Sequence, residues 1–306
     1  MTRGATDSIL PHPAVFLATY SVTAAAWSAA WALWSAGSRP FAVSAFALGL
    51  SLGPCLTGYL TVPRSQRQLQ RRLVLFTGGL AILAPALLGA GSLDLEGFFL
   101  LLLAGAGGAA IGHTLVTVIV GPLAFGRVLC GWGCWRAMVL ELLPLGRGSG
   151  RRRGAWAALP YLGLAASAGS AALCFRWLDE RPAAGAGAGA GPWPALAACF
   201  VYYAASIGLA VALDDGRAFC KYLCPSSAIL RWTSRPARLR VAARPFSCDG
   251  CGACTAACPM DVEVAALAQA GRPIGAGECV LCQRCVEACP RGALRLVFSA
   301  PAVAIR

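Results

Sequence analysis

Six long apolar runs separated by short polar stretches organise the first two thirds of the chain, at about residues 14–36, 41–62, 73–93, 98–122, 155–177 and 194–213. Each matches the roughly 20 residues that an α-helix needs to cross a bilayer. Beyond residue 231 the pattern changes. Short β-prone runs, LRVAA (Leu239–Ala243) and ALRLVFSA (293–300), flank a stretch dense in cysteine, glycine and alanine. The pattern predicts an α-helical membrane domain over 1–231, with about six transmembrane helices, and a small α+β domain over 232–306. The first run competes with a signal peptide, but it is too long for one and only Arg3 precedes it as a basic side chain.

Arginine placement predicts the orientation. Arg64, Arg67, Arg71 and Arg72 lie between runs two and three, and Arg127, Arg136, Arg147, Arg151, Arg152 and Arg153 between four and five. Arg217, Lys221, Arg231, Arg235, Arg238, Arg240 and Arg244 follow run six. The alternate loops hold little more than Arg39, then Asp94 and Glu96, then Asp179, Glu180 and Arg181. Basic loops stay inside, so both termini and the C-terminal domain are expected on the cytoplasmic face of a bacterial inner membrane. This topology also accounts for the net charge of +13, and no nucleic-acid partner is expected. Charged residues make up 13% of the chain, against about 25% in soluble domains. The loop PAAGAGAGAGPWP (182–194) reads as a flexible tether.

Eight of the fifteen cysteines fall between Cys248 and Cys289. They form two runs of C-x2-C-x2-C-x3-C-P: Cys248, Cys251, Cys254 and Cys258, then Cys279, Cys282, Cys285 and Cys289. This is the bacterial two-cluster ferredoxin pattern, in which three thiolates of one run hold a [4Fe–4S] cluster and the fourth serves the other cluster. The expected sets are Cys248, Cys251, Cys254 and Cys289 for cluster one, and Cys279, Cys282, Cys285 and Cys258 for cluster two. Zinc pairs normally stand further apart in sequence, and a reducing compartment disfavours disulfides. Gly250, Gly252, Ala253, Ala256 and Ala257 leave room for backbone close to a cluster. No general acid–base pair or nucleophile accompanies the runs, which points to a carrier of electrons in which quinol oxidation would be the one catalytic step.

A second cysteine pattern sits at the ends of runs four and six. GRVLCGWGCW (126–135) and GRAFCKYLCP (216–225) share G-R-x-[L/F]-C-x3-C. If helical, cysteines at i and i+4 share a face, so Cys130, Cys134, Cys220 and Cys224 could meet at one depth. Three readings stand: a redox site, either metal-bound or a dithiol pair; packing cysteines; and transient cluster or metal handling.

These two edge motifs, followed by a tandem [4Fe–4S] domain, resemble the NapH/MauN-type membrane-bound polyferredoxins over about residues 126–297, with NosR and CcoG-type proteins as more distant relatives. The layout is nearest to MauN of methylamine utilisation; the first two apolar runs are additional to the NapH pattern. The resemblance implies electron transfer between the cytoplasmic side or quinol pool and a periplasmic system of the methylamine-utilisation or nitrate-reduction type. Implied partners are a periplasmic or membrane-bound ferredoxin-type protein, a dehydrogenase or a reductase. Its alternative is an assembly factor that reduces a metal or disulfide in a partner enzyme. The first copy departs from the pattern, with Trp135 where the second has Pro225. Proline suits a first helical position, so Pro225 is expected to open an amphipathic helix, whereas tryptophan suits an interfacial anchor.

His113 is a candidate proton acceptor for quinol, since an ionisable residue within a span is a functional hypothesis by default. Its other reading is a neutral histidine bonded across a close helix contact at Gly108 and Gly112. His12 lies near the N-terminus, so a bis-histidine haem within one chain is not expected. Cys55, Cys174 and Cys199 read as packing residues, and Trp27, Trp31 and Trp34 as a face turned to lipid or a partner. Almost no other charge falls within the runs, which argues against a transporter.

Overall fold

The computed structural model describes residues 13–88, 95–105, 109–146, 150–152, 154–177, 193–244, 247–275 and 277–298. Most of the 182–194 tether, and Arg3, His12, Asp94, Gly108, Arg147, Arg153, Asp179, Glu180 and Arg181, lie outside them. Helix α1 (Pro13–Ser35) packs along α2 (Arg39–Leu50), which continues through a π-helical turn at Ser51–Cys55 into α3 (Leu56–Thr61). Pro54 sits in that turn; its missing N–H and its ring prevent a regular α-helical turn there. Helix α4 (Arg64–Leu87) packs against both α2 and α3.

Two runs differ from their expected extents. Helix α4 begins at Arg64, so Arg64, Arg67, Arg71 and Arg72 belong to a helix and not to a loop. Pro63 precedes it in an extended conformation, and arginine and glutamine are good helix formers. The run expected at 98–122 is interrupted. Helix α5 (Leu95–Leu103) ends at a turn where Gly105 adopts φ +63°, and the chain resumes as α6 (Ala109–Thr114), a π-helical Leu115–Val120 and α7 (Gly121–Phe125). The sequence AGAGG at 104–108 disfavours a continuous helix because glycine loses most backbone entropy on ordering.

After α7 the chain turns sharply into α8 (Val128–Trp132) and α9 (Trp135–Leu140). Helices α10 (Leu159–Trp177), α11 (Trp193–Ala212), α12 (Ala218–Tyr222) and α13 (Pro225–Thr233) complete the helical part. Among the described residues, Phe41–Thr61 is long and apolar enough to cross a membrane by itself. Ile111–Phe125 and Val128–Leu140, bent by 100°, make a second if counted as one span, and Leu196–Ala212 is apolar but shorter.

The C-terminal part pairs β1 (Leu239–Ala243) antiparallel with β2 (Leu294–Phe298), in the register Leu239 to Phe298 and Val241 to Leu296. Among the described residues between the strands lie three short helices, α14 (Ala253–Ala256), α15 (Val264–Gln269) and α16 (Arg284–Ala288). Their core is Val241, Val264, Ala268, Ile274, Leu281 and Leu294, with Cys254 and Cys285 buried among them.

One carboxylate ties the helices to this domain. Glu141, just after α9, accepts hydrogen bonds from Arg71 Nη2 of α4 at 2.6 Å, from Arg284 Nη2 of α16 at 2.7 Å, and from Arg217 Nη2 before α12. Burial by itself would raise the Glu141 carboxyl, but Arg217, Arg71 and Arg284 hold it well below the usual carboxylate range. Arg71 is fully buried and also donates to Gly131 O at 2.8 Å.

Removing one partner of a buried ion pair costs about 3–5 kcal/mol. Glu141→Gln should therefore lower the thermal unfolding midpoint in detergent and expose the segment before β1 to protease. Breaking the surface pair of Asp249 and Arg291 by Asp249→Asn should leave both readings close to wild type.

Candidate metal centres

The two C-terminal cysteine runs fold with one backbone. In the first, Gly250 and Gly252 both adopt φ +76°. The equivalent positions of the second are Leu281 at φ +55° and Gln283 at φ +59°. Left-handed backbone costs a non-glycine residue roughly 1–2 kcal/mol; the second run nevertheless follows the same curve. Gly252 and Gln283 each immediately precede a short helix, α14 and α16, which carries the third cysteine of its run.

The curve gathers the thiols. Cys248, Cys251, Cys254 and Cys289 line one small cavity with Ala265, Ala268 and Leu294. Burial pushes the Cys254 thiol up, and Cys248 and Cys289 add to the rise. In the other set burial pushes Cys279 up to about 12, with Cys282 and Cys258 contributing. Cys285 is raised by burial and then by Cys279, Cys282 and Cys258. Backbone N–H groups point at sulfur: Val262 to Cys258 at 3.4 Å, Leu281 to Cys279 at 3.4 Å and Ala293 to Cys289 at 3.3 Å. Among the described residues no group of three or more His, Cys, Asp or Glu side chains is placed to hold a single metal ion. All-thiol sets with N–H donors aimed at sulfur fit a [4Fe–4S] cube, which seats each thiolate on a different iron.

The edge motifs share a turn that differs from the expected helical face. In each copy an arginine precedes a five-residue helix: Arg127 before α8 and Arg217 before α12. The first cysteine lies in that helix. The second, Cys134 or Cys224, is extended (ψ 119° and 117°) and starts the next helix. The pairs are thus separated by a helix break rather than stacked at i and i+4. Pro225 opens α13 as expected. Trp135 holds the equivalent place but is no interfacial anchor: it is buried, edge-on to Tyr202 and Tyr203 and under the Arg136 guanidinium.

The four edge thiols lie within electrostatic reach of one another, and Cys130 and Cys220 pack in one cluster. Burial raises Cys134 to about 12, and Cys130, Cys220 and Cys224 add to it; Cys224 is likewise raised by burial, with Cys220 and Cys130 adding. The arginines cross between copies. Arg217 Nη1 donates to Cys130 O at 3.0 Å and approaches Cys220 Sγ at 3.9 Å. Arg127 donates to Ser227 Oγ of α13 at 2.9 Å and to Gly277 O at 3.2 Å.

The second C-terminal run docks directly on this turn. Trp132 Nε1 donates to Leu281 O at 2.9 Å, and Cys130 and Cys220 pack with Met260, Val280, Cys258 and Cys282. Lys221 is fully buried and bridges Asp215 at 2.7 Å and Asp261 at 2.5 Å. Cys251 of the first run is exposed. Glu141, Asp215 and Asp261 do not stand out in the sequence; the one signal is that a G-R pair in each repeat, and a lone lysine inside one, need buried counter-charges.

His113 lines an apolar cleft of about 740 Å³ together with Thr117, Tyr59, Trp132, Leu281 and Gln283. Cys199 is buried, Cys55 is half-buried, and Cys174 is exposed on α10 and not a packing residue. Trp27, Trp31 and Trp34 are all exposed.

Comparison with known proteins agrees with the geometry. A family model described as a 4Fe-4S dicluster domain matches residues 240–290. A second, described as a 4Fe-4S binding domain, matches twice, at 108–152 and 198–243, and each match contains one edge motif. A 73-residue stretch is 36% identical to the "Putative electron transport protein YccM" of Escherichia coli, covering 24% of this chain and 19% of that protein. A 76-residue stretch is 30% identical to an uncharacterised protein of Methanocaldococcus jannaschii, covering 25% of this chain and 28% of that protein. No solved structure matches. The chain is mostly helical and carries a 4Fe–4S ferredoxin-type domain near its C-terminus.

A Cβ on Gly131 would stand 2.2 Å from Val280 O, so only glycine admits this close approach. Gly131→Ala should destabilise the docked state by about 1–3 kcal/mol, read as a lower thermal midpoint and faster proteolysis between α13 and β1. An unchanged midpoint would mean that the contact does not hold the domain.

Proposed function

We propose that this chain is a membrane-bound iron–sulfur electron-transfer protein of the bacterial inner membrane, with two [4Fe–4S] clusters in its C-terminal domain. It links the cytoplasmic side or the quinol pool to a periplasmic respiratory or dehydrogenase system, of the methylamine-utilisation or nitrate-reduction type. When bound, the clusters supply one-electron transfer. The chain holds one cysteine set open to solvent at Cys251 and the other pressed against the edge thiols. That ordering carries the proposal, because it lines up a solvent-facing site, a buried site and the membrane edge.

Other observations support the membrane reading. Trp31, Phe200, Val201, Leu162 and Leu173 are each at least 60% exposed; apolar surface of this extent on helices marks contact with lipid or partner. The arginine pattern supports six crossings with the ferredoxin-type domain on the cytoplasmic side. The cleft supports a quinol site. It is apolar enough for a ring and isoprenoid tail, it holds His113 to take a proton, and its lining includes Trp132 of the first edge motif and Leu281 of the second cysteine run.

Purified protein in detergent should show two reduced-cluster EPR signals with dithionite, and duroquinol should reduce both. Cys282→Ala should remove one signal, and duroquinol should then fail to reduce the remaining cluster while dithionite still does. Equal reduction by duroquinol in that variant would break the proposed order. His113→Gln should slow duroquinol-driven reduction about 10²–10⁴-fold, the usual contribution of a positioned general base, and leave dithionite reduction unchanged. A chain that reduces a metal ion or disulfide, but never accepts electrons from duroquinol, would instead be an assembly factor.

A further inference from the structure

Oxidation of a hydroquinone releases two protons, one from each hydroxyl at opposite ends of the ring. His113 accounts for one of them, so the other hydroxyl needs an acceptor of its own. Several polar side chains on the cleft lining lead nowhere. Ser51 and Thr117 donate to the carbonyls of Val74 at 3.1 Å and His113 at 2.8 Å, and Trp132 Nε1 to Leu281 O at 2.9 Å; a backbone carbonyl carries no proton onward. Tyr59 differs. It lines the same cleft, is 5% exposed, and its hydroxyl donates to Glu287 Oε1 at 3.3 Å. Glu287 is half-buried, and its other oxygen accepts from Gln68 Nε2 at 2.6 Å. Arg71 Nε donates to Gln68 Oε1 at 2.9 Å, so the amide presents its N–H2 side to the carboxylate. The Tyr59 ring stands edge-on to Trp132, with centroids 4.8 Å apart. These contacts cross from the helical part to the ferredoxin-type domain: Tyr59 lies on α3 and Gln68 on α4, whereas Glu287 lies on α16 with Cys285.

We propose that Tyr59 and Glu287 form a proton exit from the cleft, taking the second proton of a hydroquinone and passing it to water at the rim of the docked domain. The inference deepens the quinol reading and rests on it. In this step a quinol O–H bond breaks as its proton joins Tyr59 Oη, and the proton that Tyr59 held moves to Glu287 Oε1. Tyr59 is neutral before and after, so no buried phenolate forms. Glu287 becomes a neutral acid and then gives its proton to solvent. The first proton goes to His113, the two electrons go one each to the two [4Fe–4S] clusters, and the product is the quinone. A hydroxyl can act in this way because it donates one hydrogen while its lone pairs accept another. Glu287 shares its helix with Cys285, so the proton acceptor and the electron-accepting site reach the cleft on one element.

The test is cluster reduction by duroquinol and by dithionite, followed by EPR on full-length protein in detergent, together with equilibrium binding of duroquinone. Tyr59→Phe and Glu287→Gln should each slow reduction by duroquinol about 10²-fold, the lower end for a positioned proton acceptor. Duroquinone affinity and the dithionite-reduced signals should be unchanged in both. Glu287→Asp should restore most of the rate. A carboxylate that only held the fold would give the opposite order, because glutamine keeps the length of Glu287 and aspartate does not. A wild-type rate in either Tyr59→Phe or Glu287→Gln, or a slower rate in Glu287→Asp than in Glu287→Gln, would overturn the exit. So would a loss of rate matched by a loss of duroquinone binding. Loss of the dithionite signals in one variant is a folding failure and passes the decision to the other; loss in both would overturn the proposal. The quinol reading fails differently: duroquinol would then leave the wild-type clusters oxidised while dithionite reduces them.

Discussion

A single buried carboxylate holds two halves of this molecule in register. Glu141 takes two guanidiniums, Arg71 and Arg72, from a long helix, one from the second edge motif and one from the C-terminal domain. In a dry environment such charges cannot separate, since each would be left desolvated and unpaired at a cost of several kcal/mol. The position of the second cysteine run against the edge thiols follows from this, because Arg284 lies between Cys282 and Cys285. Lys221 repeats the device nearby, joining the second edge motif to Asp261 beside the fourth cysteine of the first run.

The molecule also shows two internal symmetries built by different means. The ferredoxin-type runs follow one left-handed backbone curve with glycines in one copy and with Leu281 and Gln283 in the other. The edge motifs follow one helix–break–helix turn with Pro225 in one copy and a buried, aromatic-packed Trp135 in the other. In both cases the backbone is shared and the side-chain solution is not. The asymmetric choices have local reasons. Leu281 is buried in the domain core, and Gly131, where the other copy has Lys221, admits the carbonyl of Val280.

Much of the site was legible because thiolate chemistry is written in spacing. C-x2-C-x2-C-x3-C-P needs no tertiary information to announce a cluster, and the strands form where the β-prone runs lie. The edge motifs were legible as a repeat but not as a turn: spacing of four suggested a helical face, whereas the chain breaks between the cysteines. Trp135 read as an interfacial anchor because tryptophan favours such places on average; its burial depends on Tyr202 and Tyr203, nearly seventy residues away. The arginines at the start of helix α4 look like a loop by charge, although they are good helix formers.

The linear chain by itself determined which atoms are available: twelve cysteines in two repeated patterns, long apolar runs, and arginines gathered beside them. These are local properties, fixed by composition and periodicity. Only the tertiary structure decided which of them meet. Glu141, Asp215 and Asp261 are ordinary acidic residues until the fold removes water around them and supplies cations from distant segments. His113 is one histidine in an apolar run until helices α2, α3, α4 and α8 and the docked domain enclose a cleft beside it. The reason is the same in each case: electrostatic and packing energies depend on burial and distance, and neither is written at the position of a single residue.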